Sequence, residues 1–218
     1  MTVIRAVLWD MDGTLVDSEA LHWSSWRDTM ASEGSPITHE QFLASFGQRN
    51  DSIITRWLGA ETAPERVERI SNAKEELYRS LVRKNGISML PGVESWVRRL
   101  HEEGWLQAIA SAAPRRNVEV ILDALGAARY FQGIVSAEDV ERGKPDPEVF
   151  LTAASRVGAQ PESCIVVEDA AAGIEGARRA GMSSIGISHN GNRLAADVVV
   201  KSFETLDADT FEKLLQSK

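Results

Sequence analysis

Val3-Ile4-Arg5-Ala6-Val7-Leu8-Trp9 leads without interruption into Asp10-Met11-Asp12-Gly13-Thr14. A short apolar run that ends in a carboxylate and a glycine reads as a buried β-strand followed by a tight turn. The two carboxylates, two positions apart, repel each other and tend to push one pKa upward unless a cation lies between them. That permits a division of labour. Asp10 can bind a metal and attack phosphorus, while Asp12 moves a proton to or from a substrate oxygen. A polar turn is the plainer reading of any Asp-x-Asp, but the five-residue string is much rarer. It is also not a calcium loop, because the glycine comes two positions too early and the later glutamate is missing.

Outward from this stretch, strand candidates recur at 106–110, 133–135, 164–167, 184–187 and 197–200. Amphipathic stretches at 93–103, 117–125, 148–157, 173–180 and 206–215 separate them. Strands alternating with helices imply a parallel sheet covered on both faces. In such sheets ligands bind beyond the carboxyl ends of the strands. Residues 16–89 break the alternation with helix-like segments and no convincing strand. The clearest is 65–84, where Val67, Ile70, Leu77 and Leu81 give one apolar stripe at helical spacing. Leu90-Pro91-Gly92 marks the return to alternation. A helical insertion after the first strand, folded as a separate small domain, is therefore expected over 16–89, with 1–15 and 90–218 forming the sheet-containing core.

Composition agrees with a globular chain. Of 218 residues, 43% are apolar and 26% charged, and this length supports a sizeable core without disulfides or a structural metal. No apolar run approaches the roughly 18 residues of a spanning helix, and the first strand begins too early to leave room for a signal peptide. A cytoplasmic protein without membrane association is expected. The net charge of −8 repels nucleic acid in general. Cys164, the single cysteine, lies in an apolar run and reads as a buried, inert thiol. The four histidines show no zinc spacing.

Three further signals stand at strand ends. Ser111, in Ile109-Ala110-Ser111-Ala112, offers a hydroxyl and neighbouring backbone amides to phosphoryl oxygens at a helix N-terminus; a simple helix cap is the alternative. Lys144, in Gly143-Lys144-Pro145-Asp146-Pro147, can lower the repulsion between an anionic nucleophile and a phosphate, or be an ordinary loop lysine. Glu168 and Asp169 close the apolar strand 164–167. Adjacent carboxylates there are costly unless a divalent cation neutralises them, and oxygen-only ligands suit Mg²⁺ far better than zinc. Asp169 as a helix cap is the alternative. Together the signals run in chain order nucleophile, hydroxyl, lysine, acidic pair.

With these residues the sequence resembles the haloacid dehalogenase superfamily across nearly the whole chain. Asp10-Met11-Asp12-Gly13-Thr14 matches its first motif, Ser111 the second, Lys144 the third and Glu168-Asp169 the fourth. The resemblance implies an α/β fold: a Rossmann-like, doubly wound parallel sheet core with a small α-helical cap domain inserted after the first strand. It also implies Asp10 as nucleophile and Asp12 as acid/base. Mg²⁺ would be held by Asp10, the Asp12 backbone carbonyl, Glu168 and Asp169. Dehalogenases of this superfamily lack the second aspartate, so Asp12 argues against dehalogenation.

Within the superfamily the cap resembles that of β-phosphoglucomutase and its phosphatase relatives. Asp17-Ser18-Glu19-Ala20-Leu21-His22 is similar to the start of that cap, where a histidine assists proton transfer. Gly47-Gln48-Arg49-Asn50-Asp51-Ser52 is similar to a loop whose arginine grips the distal phosphate. Lys74 matches a lysine that pairs with the histidine; it also lies near the middle of the apolar stripe, where a charge needs a reason or must snorkel past it. Trp23, Trp26 and Met30 run at helical spacing and read as packing. One departure matters. After Ser111 the mutase pattern has a second serine, a lysine and an asparagine, whereas this chain has Ala112-Ala113-Pro114-Arg115-Arg116-Asn117. Ala112 and Arg115 are carried as substrate-binding candidates, with Arg116 an alternative clamp.

The expected activity is hydrolysis of a small phosphorylated metabolite such as a sugar phosphate, by a monomer, through a phosphoryl group on Asp10. Mutase activity is the alternative. A phospho-accepting signalling domain fits poorly, because receiver domains place the acidic pair first and the accepting aspartate later.

Overall fold

The computed structural model describes residues 4–189, 191 and 193–216. The chain divides into two compact units, Met1–Asp17 with Ser88–Lys218, and Ser18–Ile87. The helices, in chain order, are α1 (Glu19–Ser32), α2 (His39–Leu43), α3 (Asn50–Leu58), α4 (Pro64–Asn85), α5 (Val93–Glu102), α6 (Arg115–Leu125), α7 (Glu148–Arg156), α8 (Ala171–Arg179) and α9 (Thr210–Gln216).

Six strands among the described residues form the sheet of the first unit: β1 (Ala6–Trp9), β2 (Leu106–Ala110), β3 (Gly133–Val135), β4 (Cys164–Glu168), β5 (Ser183–Ile187) and β6 (Val198–Val200). Their order is β3-β2-β1-β4-β5-β6, and every pairing is parallel. This is a Rossmann-like α/β sheet. Each residue of β1, β4 and β5 is buried, as expected when helices cover both faces. The chain runs outward from β1 to β3, then crosses back to β4 and continues the other way. The reversal falls between β1 and β4, where doubly wound sheets open a crevice beyond their carboxyl ends.

One face packs Leu8, Ala108, Ala110 and Val166 against Val149, Phe150 and Ala153 of α7 and Ala177 of α8. Gln107, a buried polar residue of β2, has its side-chain partners supplied. The Trp9 indole N–H donates to its Oε1 at 2.9 Å, and its Nε2 donates to the Val97 carbonyl at 2.9 Å. Cys164 is buried, with its Sγ 3.2 Å from the Gln160 carbonyl.

In the second unit, Trp26, Met30, Phe42, Ile53, Ile54 and Ile70 form one cluster, with Trp23 packed against it. The helix α4 begins on Pro64, whose missing N–H costs nothing at that position, and stops at Gly86.

The sequence expectations differ from the structure mainly at element ends. The described part of the first strand is Ala6–Trp9, because pairing to β2 and β4 starts at Ala6 while Ile4 is 43% exposed; Val3 lies outside the described residues. Both α6 and α8 start two residues earlier than expected. By contrast α9 starts at Thr210 rather than at 206, since a 3-10 turn at Phe203–Thr205 leaves Leu206 extended. In α4 the buried line is Ile70, Lys74, Tyr78 and Val82, at i, i+4 spacing, with Val67, Leu77 and Leu81 half-buried beside it.

Candidate active site

The carboxyl ends of β1 and β4 bring the acidic motifs together. The register sets Trp9 beside Val167, so Asp10 follows level with Glu168, and the Asp10 N–H donates to the Val167 carbonyl at 3.0 Å. Beyond it the chain turns tightly: N–H groups of Thr14, Leu15 and Val16 converge on the Met11 carbonyl at 3.4, 2.9 and 3.1 Å. Gly13 has φ +82°, and a Cβ there would stand 2.3 Å from Asp169 Oδ2. Only glycine serves both demands.

Lys144 Nζ donates to Asp10 Oδ1 at 2.5 Å and to Glu168 Oε1 at 2.6 Å, and lies over the Phe150 ring, 5.2 Å from its centroid. Glu168 is held at its other oxygen by the Ala170 N–H at 2.7 Å. Thr14 Oγ1 donates to Asp169 Oδ1 at 3.2 Å. Carboxylate oxygens of Asp10, Glu168 and Asp169 lie within 4.8 Å of one another.

Electrostatics mark this cluster as over-supplied with negative charge. Burial, joined by Glu168 and Asp169, raises the Asp10 carboxyl well above its ordinary value even though Lys144 opposes the shift. Burial and then Glu168 push Asp169 up to about 7, against His189, Lys144 and Thr14. Burial alone would lower the Lys144 ammonium, but Asp10 and Glu168 outweigh it and hold it above its ordinary range. A largely buried all-oxygen set with excess negative charge fits a hard divalent cation.

Ser111 directly follows β2, is 2% exposed, and receives the Ala113 N–H on its Oγ at 3.0 Å. Ala112 stands in the same turn, half-buried. Arg115 opens α6, and its guanidinium donates to Asp139 at 2.6 Å and to the Ile134 carbonyl at 3.3 Å; Arg116 is exposed. The Asp12 carboxylate is not part of the acidic trio.

In the second unit Lys74 Nζ lies 2.9 Å from His22 Nδ1. The His22 ring stacks on Tyr78 at 4.0 Å between centroids. Arg49 immediately precedes α3, with its Nε 3.6 Å from Asp51 Oδ1.

Two residues near these groups carry no sequence signal of their own. His189 places Nε2 against the Gly13 carbonyl oxygen, and Glu75 accepts from Lys74 at 2.8 Å. A lone histidine after β5 and a glutamate in a charged helix are common, so only their partners single them out.

An α/β sheet with an aspartate nucleophile candidate, a lysine and an acidic pair at its switch point defines a class of phosphoryl-transfer enzymes, and the comparisons agree. The chain belongs to the haloacid dehalogenase-like hydrolases, whose family model matches residues 7–187. It is therefore an enzyme. Among its relatives, the β-phosphoglucomutase of Bacillus subtilis is 31% identical over 209 residues, covering 93% of this chain and 92% of that protein. Hexitol phosphatase B of Escherichia coli is 33% identical over 213 residues, covering 94% and 95%. The crystal structure of β-phosphoglucomutase from Clostridium difficile superposes with a TM-score of 0.88 at 27% identity, covering 99% of this chain and 98% of that one. No helix among the described residues is long and apolar enough to cross a membrane.

Proposed function

We propose that this protein is a Mg²⁺-dependent phosphatase of small sugar phosphates that works through an aspartyl-phosphate on Asp10. The observation that carries the reading is the Asp10 carboxylate, 2.5 Å from Lys144 Nζ and clustered with Glu168 and Asp169. Relatives named as a hexitol phosphatase and a phosphoglucomutase support the substrate class.

Asp10, the Asp12 carbonyl, Glu168 and Asp169 would hold Mg²⁺, which when bound supplies positive charge to screen the phosphoryl oxygens. An Asp10 oxygen bonds to phosphorus as the ester P–O bond breaks, and the leaving oxygen takes a proton from Asp12. Lys144 offsets the charge of the approaching anions. Ser111, whose Oγ accepts from Ala113, keeps its own proton to donate to a phosphoryl oxygen. The ionised Asp12 then takes a proton from water, whose oxygen attacks phosphorus. The bond between phosphorus and the Asp10 oxygen breaks, inorganic phosphate leaves, Asp10 is again a carboxylate and Asp12 again carries its proton.

A mutase reading is favoured by the His22–Lys74 contact and by Arg49 at the start of α3. Against it, Ala113 has no hydroxyl and Pro114 no charge, and the Arg115 guanidinium is occupied by Asp139. The test is to incubate the protein and Mg²⁺ with a panel of hexose phosphates, following released phosphate and isomerised sugar phosphate together. Phosphate release is expected to lead throughout, and Asp10→Asn to lower turnover by at least about a thousandfold. Isomerisation outrunning release on β-glucose 1-phosphate, with a bisphosphate primer, would establish the mutase. Full turnover in Asp10→Asn would overturn the covalent route.

A further inference from the structure

The second unit holds a buried carboxylate that the proposed chemistry leaves without a task. Glu75 is 4% exposed and Lys74 2%. Glu75 Oε1 accepts from Lys74 Nζ at 2.8 Å and from Asn50 Nδ2 at 2.7 Å, and Asn50 also donates to Ser71 Oγ at 2.9 Å. The Lys74 Nζ that meets His22 Nδ1 lies 5.2 Å from the Trp26 ring centroid and 5.3 Å from that of Tyr78.

These contacts constrain one another. Lys74 Nζ forms an ion pair with the Glu75 carboxylate, and an ammonium has only donors to offer. The nitrogen of a neutral His22 that faces Lys74 is then an acceptor, so its proton resides on Nε2. The same Glu75 oxygen ties α4 to Asn50, the first residue of α3, next to Arg49. Burial would raise the Glu75 carboxyl, yet the Lys74 charge, foremost among the opposing groups, and the Asn50 hydrogen bond help hold it below its ordinary value. A well-packed apolar pair of similar volume would serve stability as well or better, so this costly arrangement is suited to fixing direction.

We propose that Glu75 is a positioning residue: through Lys74 it sets the Nε2-protonated tautomer of His22, and through Asn50 it fixes the backbone that carries Arg49. The inference rests on the reading of this protein as a sugar phosphate enzyme, whose substrate offers hydroxyls to a histidine N–H and an anion to an arginine. Glu75 itself takes no part in the chemistry at phosphorus.

Two measurements on the 218-residue chain decide it. In wild-type protein labelled with ¹⁵N-histidine, assigned by comparison with His22→Gln, the His22 resonances are expected to show Nε2 protonated and Nδ1 bare. A His22 protonated on Nδ1 overturns the proposal whatever any variant does. Second, Glu75→Gln is compared with wild type on a hexose phosphate and on acetyl phosphate, which has no sugar hydroxyl to recognise. The hexose phosphate kcat/KM is expected to fall roughly 10- to 100-fold while acetyl phosphate turnover changes less than about threefold. Glu75→Asp, which keeps the charge, is expected to recover part of the loss. Equal losses on both substrates, or an unchanged hexose phosphate kcat/KM in folded Glu75→Gln, overturn the proposal. If Glu75→Gln fails to fold, the wild-type tautomer decides alone. A wild type that turns over neither substrate sinks the functional reading instead, and the tautomer remains a separate result.

Discussion

Asp169 shows at the scale of one residue what the acidic cluster costs and what relieves it. Its carboxyl moves from 3.8 to about 7 through burial and the charge of Glu168, and Asp10 moves the same way. The unfolded chain releases the Asp169 proton near 3.8, the native chain near 7. Between these values the native state holds more protons, so native stability falls as pH rises across the window and the penalty is complete above it. A divalent cation cancels a penalty that exists only when the carboxylates are ionised. Melting temperatures with excess Mg²⁺ and with EDTA are therefore expected to differ by several degrees near about pH 8 and little near about pH 4.5. A shift independent of pH would mean that the cation binds elsewhere. Asp10, Lys144, Glu168 and Asp169, which the structure brings together, stand out in the sequence as charged residues at or beyond the ends of apolar runs. Glu75 and His189 do not, because nothing in their neighbours along the chain marks them.

Among the elements, the first turn of α8 carries a constraint that helix propensity would misjudge. Gly173 has nothing to gain from flexibility inside a helix, and alanine there would ordinarily stabilise by about 0.5–1 kcal/mol. Yet a Cβ at Gly173 would stand 1.9 Å from Glu168 Oε1, the oxygen that accepts from Lys144. Gly173→Ala is expected to destabilise by about 1–3 kcal/mol in urea unfolding, and to lower turnover by at least about tenfold by displacing Glu168. A stabilised variant with full activity would refute this account of the β4–α8 junction. Element identity was legible from periodicity. Element ends were less so: α6 and α8 begin earlier than their apolar faces suggest, and the 3-10 turn before α9 replaces a helical start. In α4 the stripe read from Val67, Ile70, Leu77 and Leu81 pointed to the right helix, but its buried line passes through Lys74 and Tyr78. A hydrophobicity pattern cannot predict a buried lysine whose partners, His22 and Glu75, are what make its burial tolerable.

Across the whole molecule, the first unit is interrupted by Ser18–Ile87, and its two chain crossings lie side by side. Val16 and Met89 form an antiparallel bridge, the Asp17 N–H donates to the Ser88 carbonyl at 3.3 Å, and the Leu90 N–H to the Leu15 carbonyl at 3.1 Å. Ends so close need little loop to join them, and each doubling of loop length costs only about 0.6 kcal/mol. Replacing residues 18–87 with a short Gly/Ser linker is expected to leave a cooperatively melting first unit that keeps the pH-dependent Mg²⁺ shift. Loss of cooperative melting would show that the first unit does not fold without the insertion.

The sequence by itself determined the alternation of strands and helices, and it marked the charged residues that stand at or beyond the ends of apolar runs. Those properties depend on local periodicity and on rare short strings, and both are written along the chain. Only the tertiary structure decided that β1 and β4 lie side by side, that Lys144 bridges Asp10 and Glu168, that Arg115 is taken up by Asp139, and that Lys74 meets both His22 and Glu75. Charge interactions act over a few ångströms of space, and residues 134 or more positions apart become neighbours only when the sheet sets its strand order.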